Sequence, residues 1–176
     1  ELLGAKTESD APIQNVLAPY PTEHPATLTL KNGEIVTIHP LTPEDAEAKQ
    51  QFVRSLSPQA RYTRFMTHTN ELPIPTLARF SKLDYHSEAA WTARNSDDLI
   101  VAVSRFSRIN RNECEFGITL AENVRGKGLA AEMMKLIIQS ATQQGYRVMS
   151  AQILKSNTPM LKLAEKSGFT ITPSEE

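Results

Sequence analysis

The sequence predicts a mixed α/β domain in which helices flank a mostly antiparallel central sheet. Three observations carry this: two proline-led helix starts early in the chain, a middle third of apolar runs parted by turn residues, and a last third alternating strand with helix. At 176 residues the chain is long enough for one domain with its own core.

Residues 1–26 hold Pro12, Pro19, Pro21 and Pro25 with little apolar periodicity. They read as an extended or disordered leader, leaving 27–176 as the domain. A chain opening on Glu1 also reads as processed or trimmed. A hairpin is expected next, with residues 28–30 and 35–39 flanking Asn32-Gly33. Thr42, Pro43 and Asp45 form a capping signature for a helix reaching Leu56. Ser57-Pro58 repeats the cap-then-proline logic for a second helix through Phe65, and Pro73 and Pro75 precede a third over 76–82. Strands at 89–94 and 99–106 are separated by Asn95-Ser96-Asp97-Asp98, and a turn near Asn110-Arg111-Asn112 leads into a strand at 113–120. Leu129, Met133, Leu136 and Ile137 give helical spacing over 128–144, ended by Gly145. A strand at 147–154, a helix at 158–166 stopped by Gly168, and a strand at 169–172 complete the order.

Composition narrows the function classes. A net charge of −1 and a pI near 6.5 provide no basic field for nucleic acid or an anionic membrane. No apolar run approaches the roughly 20 residues of a membrane span. The single cysteine, Cys114, excludes an internal disulfide, reads as a buried strand hydrophobe, and suits a cytoplasmic setting. His24, His39, His68 and His86 are scattered without metal-ligand spacing, so no metal site is expected.

The chemistry concentrates where the strand at 113–120 runs into Arg125-Gly126-Lys127-Gly128 and a helix starts at once. Two glycines around a lysine let successive N–H groups turn toward one point, and the helix start adds unpaired N–H groups and its dipole. Arg125 and Lys127 add charge at the rim, making an anion cradle suited to a pyrophosphate. A Walker loop is excluded because GxxxxGK[ST] is not present. Gly126-x-Gly128-x-x-Ala131 fits the dinucleotide fingerprint on paper, yet the next strand carries no acidic residue and the loop 121–125 is too long for the tight turn.

Arg125-Gly126-Lys127-Gly128-Leu129-Ala130 matches (Gln/Arg)-x-x-Gly-x-(Gly/Ala), the coenzyme A loop of the GNAT superfamily of N-acetyltransferases. Asn157 followed by Leu163-Ala164-Glu165-Lys166-Ser167-Gly168-Phe169 resembles that family's closing segment. The resemblance covers roughly residues 35–172. More finely, His39-Pro40-Leu41, Pro43-Glu44-Asp45, Leu56-Ser57, Arg61-Tyr62-x-Arg64-Phe65 and Glu71-Leu72 look like the acetyltransferase module of bacterial protein-lysine acetyltransferases. Larger members fuse that module to an acyl-CoA synthetase-like region, so a single-domain relative or an excised domain is expected.

The resemblance implies a GNAT fold, acetyl-CoA as cosubstrate, and a protein lysine or a small amine as acceptor. It implies that Ile118 and Leu120 present backbone groups to the pantetheine, the Leu120 N–H serving as oxyanion donor. Arg125, Gly126, Lys127, Gly128, Leu129 and Ala130 would hold the pyrophosphate, and Asn157 would touch the cofactor arm from across the gap. Glu115 is the candidate general base and Glu113 the reserve; with Gly117 they share one face of a period-2 strand. Ala164 stands where many members carry a tyrosine that protonates the leaving thiolate, and Glu122 and Val124 replace a proline and an aromatic often found there. The RYTRF segment is expected to dock its helix with Tyr62 and Phe65 in the core, and Trp91 to be core on its strand. The alternatives are a small-amine, polyamine or amino-acid acetyltransferase and a non-catalytic acyl-CoA-sensing module.

Overall fold

The computed structural model describes residues 2–8, 26–66, 68–79 and 82–173. Eight strands form one sheet: β1 (Leu2–Glu8), β2 (Ala26–Thr29), β3 (Ile35–Pro40), β4 (Glu88–Arg94), β5 (Ile100–Arg108), β6 (Glu113–Leu120), β7 (Val148–Leu154) and β8 (Thr170–Pro173). Their order across the sheet is β2-β3-β4-β5-β6-β7-β1-β8. Every neighbouring pair is antiparallel except β6 and β7, which are parallel. Five helices flank it: α1 (Ala46–Ser55), α2 (Pro58–Phe65), α3 (Ile74–Arg79), α4 (Leu129–Gln143) and α5 (Thr158–Lys166). The mixed, mostly antiparallel sheet flanked by helices is therefore as the sequence predicts.

Local chemistry explains most boundaries. The β2–β3 hairpin turns at Gly33, whose φ of +84° suits a residue without Cβ. The Asp45 carboxylate accepts hydrogen bonds from the Thr42 N–H (2.8 Å) and hydroxyl (3.1 Å). This closes a short 3₁₀ turn over Pro43–Asp45, so the regular helix starts at Ala46. Ser57 caps α2 by accepting from the Ala60 N–H at 3.1 Å. The third helix lies earlier than the 76–82 expected, because Pro75 enters its first turn instead of preceding it.

Period-2 alternation divides the sheet into two faces. Trp91, Phe106, Cys114, Phe116, Ile118 and Leu120 point to the face where α4 lays Leu129, Met133, Met134 and Ile137, all four fully buried. The opposite face carries Ala90 and Val103 against α1 and α2, whose Phe52, Val53, Leu56 and Ala60 bury there. Trp91 is core, 6% exposed.

Two expectations are corrected. Part of the segment read as a leader, Leu2–Glu8, is a strand seated between β7 and β8 and paired with both. Its sequence shows no alternation because only Ala5 is buried, and two backbone ladders hold it in place of side chains. The rest of that leader, 9–25, lies outside the described residues. In RYTRF, Tyr62 is not core: it is 36% exposed and stacks on His68 at 4.8 Å. Phe65 is partly buried, and the buried member is Arg61, which donates to the Leu56 and Arg54 carbonyls and to Asn70 Oδ1.

Candidate active site

The site begins where the parallel pair comes apart. β6 and β7 pair only over Glu113–Val148, Cys114–Met149 and Glu115–Ser150, although β6 runs on to Leu120 and β7 to Leu154. β7 stays paired with β1 as far as Leu154, and β6 with β5 as far as Leu120. Each strand thus keeps its outer neighbour while the inner edges separate, leaving a gap. The Ala121 N–H donates to the Val101 carbonyl at 2.8 Å, toward β5. Alternation along the strand therefore turns the N–H groups of Ile118 and Leu120 toward the gap.

At the end of β6 a 3₁₀ turn, Glu122–Val124, is pinned by Val124, only 2% exposed, and releases the chain into the glycine loop. Gly126 (φ +72°) and Gly128 (φ +90°) both lie in the left-handed region. The N–H groups of Gly126, Lys127 and Gly128 donate to no acceptor among the described residues, and α4 starts without a side-chain cap. Open amides and a helix N-terminus converge where Leu129, itself fully buried, fixes the helix against the sheet. The residues present fit a diphosphate.

Both rim charges have protein partners. The Arg125 guanidinium lies over the edge of β6, 3.5 Å from the Leu120 carbonyl. Lys127 is engaged by Glu34 at 3.0 Å. Lys31 takes a place beside the loop: its N–H donates to the Lys127 carbonyl, and its Cε would lie 3.6 Å from a Cβ at Gly128. The sequence did not single out Lys31, which is brought in by the β2–β3 hairpin. Asn157 caps α5, its side-chain oxygen accepting from the Met160 N–H at 3.4 Å. That bond engages the oxygen, and the amide NH₂ keeps its two donors.

Glu115 is exposed, at the last paired position before the gap opens, and shares its face with Gly117 and Thr119. Glu113 is tied to Lys6 at 3.9 Å and accepts from Asn110. Neighbouring Cys114 points the other way into the core, where burial and then Glu113 push its thiol up to about 12. Over Gly117 lies the Arg64 guanidinium: a Cβ there would fall 2.5 Å from Arg64 Nη2. Burial, then Arg105, lowers the proton affinity of Arg64 to a pKa of about 10, while Glu115 acts the other way. Arg105 on β5 is likewise lowered by burial, with Glu88 and Glu115 opposing. Lys49 on α1 is held well below its ordinary value by burial, then by Arg105 and Arg64. The proximity of Lys49 and Arg105 to Arg64 was not legible in the sequence, since helix phase and strand register alone bring them together. Ala164 is fully buried and carries no proton to give. Among the described residues, no group of three or more His, Cys, Asp or Glu could hold a metal, and no helix is long and apolar enough to cross a membrane.

A sheet opened beside a glycine-turned anion cradle, with a carboxylate where the opening begins, defines an N-acetyltransferase domain. The family described as acetyltransferase (GNAT) domain matches residues 36–170. An acetyltransferase of Pseudomonas aeruginosa is 32% identical over 145 residues, covering 80% of this chain and 78% of its own. The GNAT domain of S. lividans PAT superposes with a TM-score of 0.83 at 25% identity, over 90% of this chain and 94% of that one. A phosphinothricin acetyltransferase of Sinorhizobium meliloti, solved in complex with acetyl-CoA, shares the fold with a TM-score of 0.67 at 18% identity, over 81% of this chain and 76% of that one. The chain belongs to the GNAT family of acetyl-CoA-dependent N-acetyltransferases.

Proposed function

We propose that this chain moves the acetyl group of acetyl-CoA onto a lysine side chain of a protein, with Glu115 as general base. One observation carries the reading: the β6–β7 gap opens directly beyond Glu115 and ends at the unsatisfied amides of the glycine loop. Residues 125–130 hold the diphosphate, Ile118 and Leu120 offer backbone groups to the pantetheine, and the Asn157 amide meets that arm from the β7 side. The likeness to the PAT domain favours a protein acceptor over a small amine.

A lysine ammonium has a pKa of about 10.4, so at pH 7 roughly one amine in 2,500 is free to attack. Glu115 takes the proton, directly or through one water. The nitrogen lone pair then forms the C–N bond at the thioester carbonyl, and the Leu120 N–H stabilises the oxygen as it gains charge. The C–S bond breaks and the electron pair leaves with sulfur. The nitrogen gives up its second proton to solvent as the amide forms, and because Ala164 offers no proton, the thiolate takes one from solvent.

Glu115→Gln is expected to lower kcat about 10²–10⁴-fold while acetyl-CoA affinity, read by calorimetry, stays within twofold. Parallel loss of both would assign Glu115 to binding. Labelled acetyl-CoA incubated with cell extract should mark protein lysines, whereas label confined to small amines would displace the protein acceptor. Tight CoA binding with no thiol release to any amine would make the domain a sensor.

A further inference from the structure

The β2–β3 hairpin stands at one edge of the sheet, with three strands between β2 and β6, yet its tip reaches the loop that follows β6. Leu30, 4% exposed, anchors the tip in the core, and its N–H and carbonyl close the turn with Glu34 and Gly33. Two contacts then fasten the tip to Lys127. The Lys31 N–H donates to the Lys127 carbonyl at 3.2 Å, and the Glu34 carboxylate takes the Lys127 ammonium at 3.0 Å. Hydrogen bonding to Asn32, then to Lys127, holds the Glu34 carboxyl below its usual range, so this pair stays charged at neutral pH.

The same tip lays a second lysine beside the glycine loop. The Lys31 stem runs along Gly128, its Cε and Cγ 3.6 and 4.0 Å from where a Cβ would stand there. Gly128 is the N-cap of α4, so the ammonium, one bond beyond Cε, stands close to that helix start. A cation is misplaced at the positive end of a helix dipole. An anion held by the loop amides turns that repulsion into attraction from both sides. The two charged side chains of the loop itself are directed elsewhere: Lys127 to Glu34, and Arg125 to the Leu120 carbonyl at 3.5 Å. Resting on the glycine loop as the cofactor site, we propose that Lys31 is a phosphate-binding residue of that site. Its ammonium, brought in by the hairpin, meets the phosphates of coenzyme A, while the Lys127 side chain holds the hairpin on the loop. Coenzyme A carries two such groups, its diphosphate and the phosphate on its ribose, and the place beside Gly128 puts the diphosphate first.

The test reads binding, not turnover. Acetyl-CoA and acetyl-dephospho-CoA, which lacks the ribose phosphate, are titrated by calorimetry into the parent, Lys31→Met, Lys31→Arg and Lys31→Glu, at low and high salt. Methionine keeps the stem over Gly128 and removes the charge. It is expected to weaken acetyl-CoA about tenfold, with arginine within about threefold of the parent and glutamate at least about a hundredfold weaker. The gap between parent and Lys31→Met should narrow as salt screens the contact. Without ligand, Lys31→Met and Lys31→Glu should melt no lower than the parent, since each relieves the helix start of a cation; a role in hairpin structure alone predicts the reverse. A tenfold loss that carries over to the dephospho form assigns Lys31 to the diphosphate, and one confined to acetyl-CoA assigns it to the ribose phosphate. Parent-like affinity of Lys31→Met for both ligands overturns the assignment, as does a loss that Lys31→Arg shares in full and that comes with a lower unliganded midpoint. A parent that binds neither ligand sinks the reading of the glycine loop itself, and Lys31 with it.

Discussion

Gly117 lets a guanidinium lie flat on the sheet: with any side chain there, Arg64 would have to leave the face that Glu115 occupies. Arg61 and Arg64 stand three apart on α2 and so share a helix face, yet they do different work. Arg61 closes on carbonyls of the α1 end, while Arg64 reaches the strand. The sequence shows the pair of arginines, but the phase that turns Tyr62 outward is set by how α2 packs on β6. Cys114 illustrates the converse. Its neighbours in sequence, Glu113 and Glu115, point to the opposite face of the sheet, whereas its own side chain is fully buried in the core. With the thiol near 12, about one in 10⁴ is ionised at pH 8, so Cys114 should resist iodoacetamide in the native state and react once urea unfolds the chain. The ordinary value is 9.0, so the folded state holds this proton more tightly than the unfolded one. That contribution to stability is complete below about pH 9 and is lost as pH rises toward 12. Native alkylation at pH 8 as fast as that of the unfolded chain would place the thiol at the surface.

At the scale of elements, the loop joining β6 to α4 was the most legible part of the molecule, because its chemistry is local. Glycines at positive φ, an uncapped helix start and open amides follow from six consecutive residues. Gly128→Asp tests this directly. It forces a side chain into a φ of +90°, toward Lys31, and puts a carboxylate where a diphosphate would sit. Acetyl-CoA affinity should fall at least a hundredfold by calorimetry, with the thermal midpoint within a few degrees of the parent; undiminished affinity would move the cofactor elsewhere. Less local features escaped the sequence in proportion to the distance between their parts. Lys127 could be placed on the loop, but its partner Glu34 comes from a hairpin 93 residues away. Lys49, Arg64 and Arg105 sit on three separate elements. Nothing in any one segment marks them as a group.

At the scale of the whole molecule, the gap between β6 and β7 depends on what holds β7 from its other side. β6 releases β7 after Ser150, and from there to Leu154 the only strand paired with β7 among the described residues is β1. Among the described residues, β8 has no strand partner besides β1. A segment with a single fully buried side chain therefore secures one wall of the site and one edge of the sheet. Pattern reading passes over it, since backbone ladders leave no mark on side-chain alternation. Ala5→Pro isolates this role. Residue 5 has a partner in each neighbouring strand, Ala151 and Ile171, so its N–H belongs to a ladder whichever way it points. Proline removes that donor and sets its ring against the adjacent strand. Stability is expected to fall by at least about 2 kcal/mol in urea titration, and hydrogen exchange in β7 beyond Ser150 and in β8 should accelerate more than in β4 and β5. Acetyl-CoA binding should weaken alongside, because the wall facing Leu120 is no longer fixed. A urea midpoint and exchange pattern matching the parent would mean that β7 holds its course without β1, and that the opening is set by β6 and α4 alone.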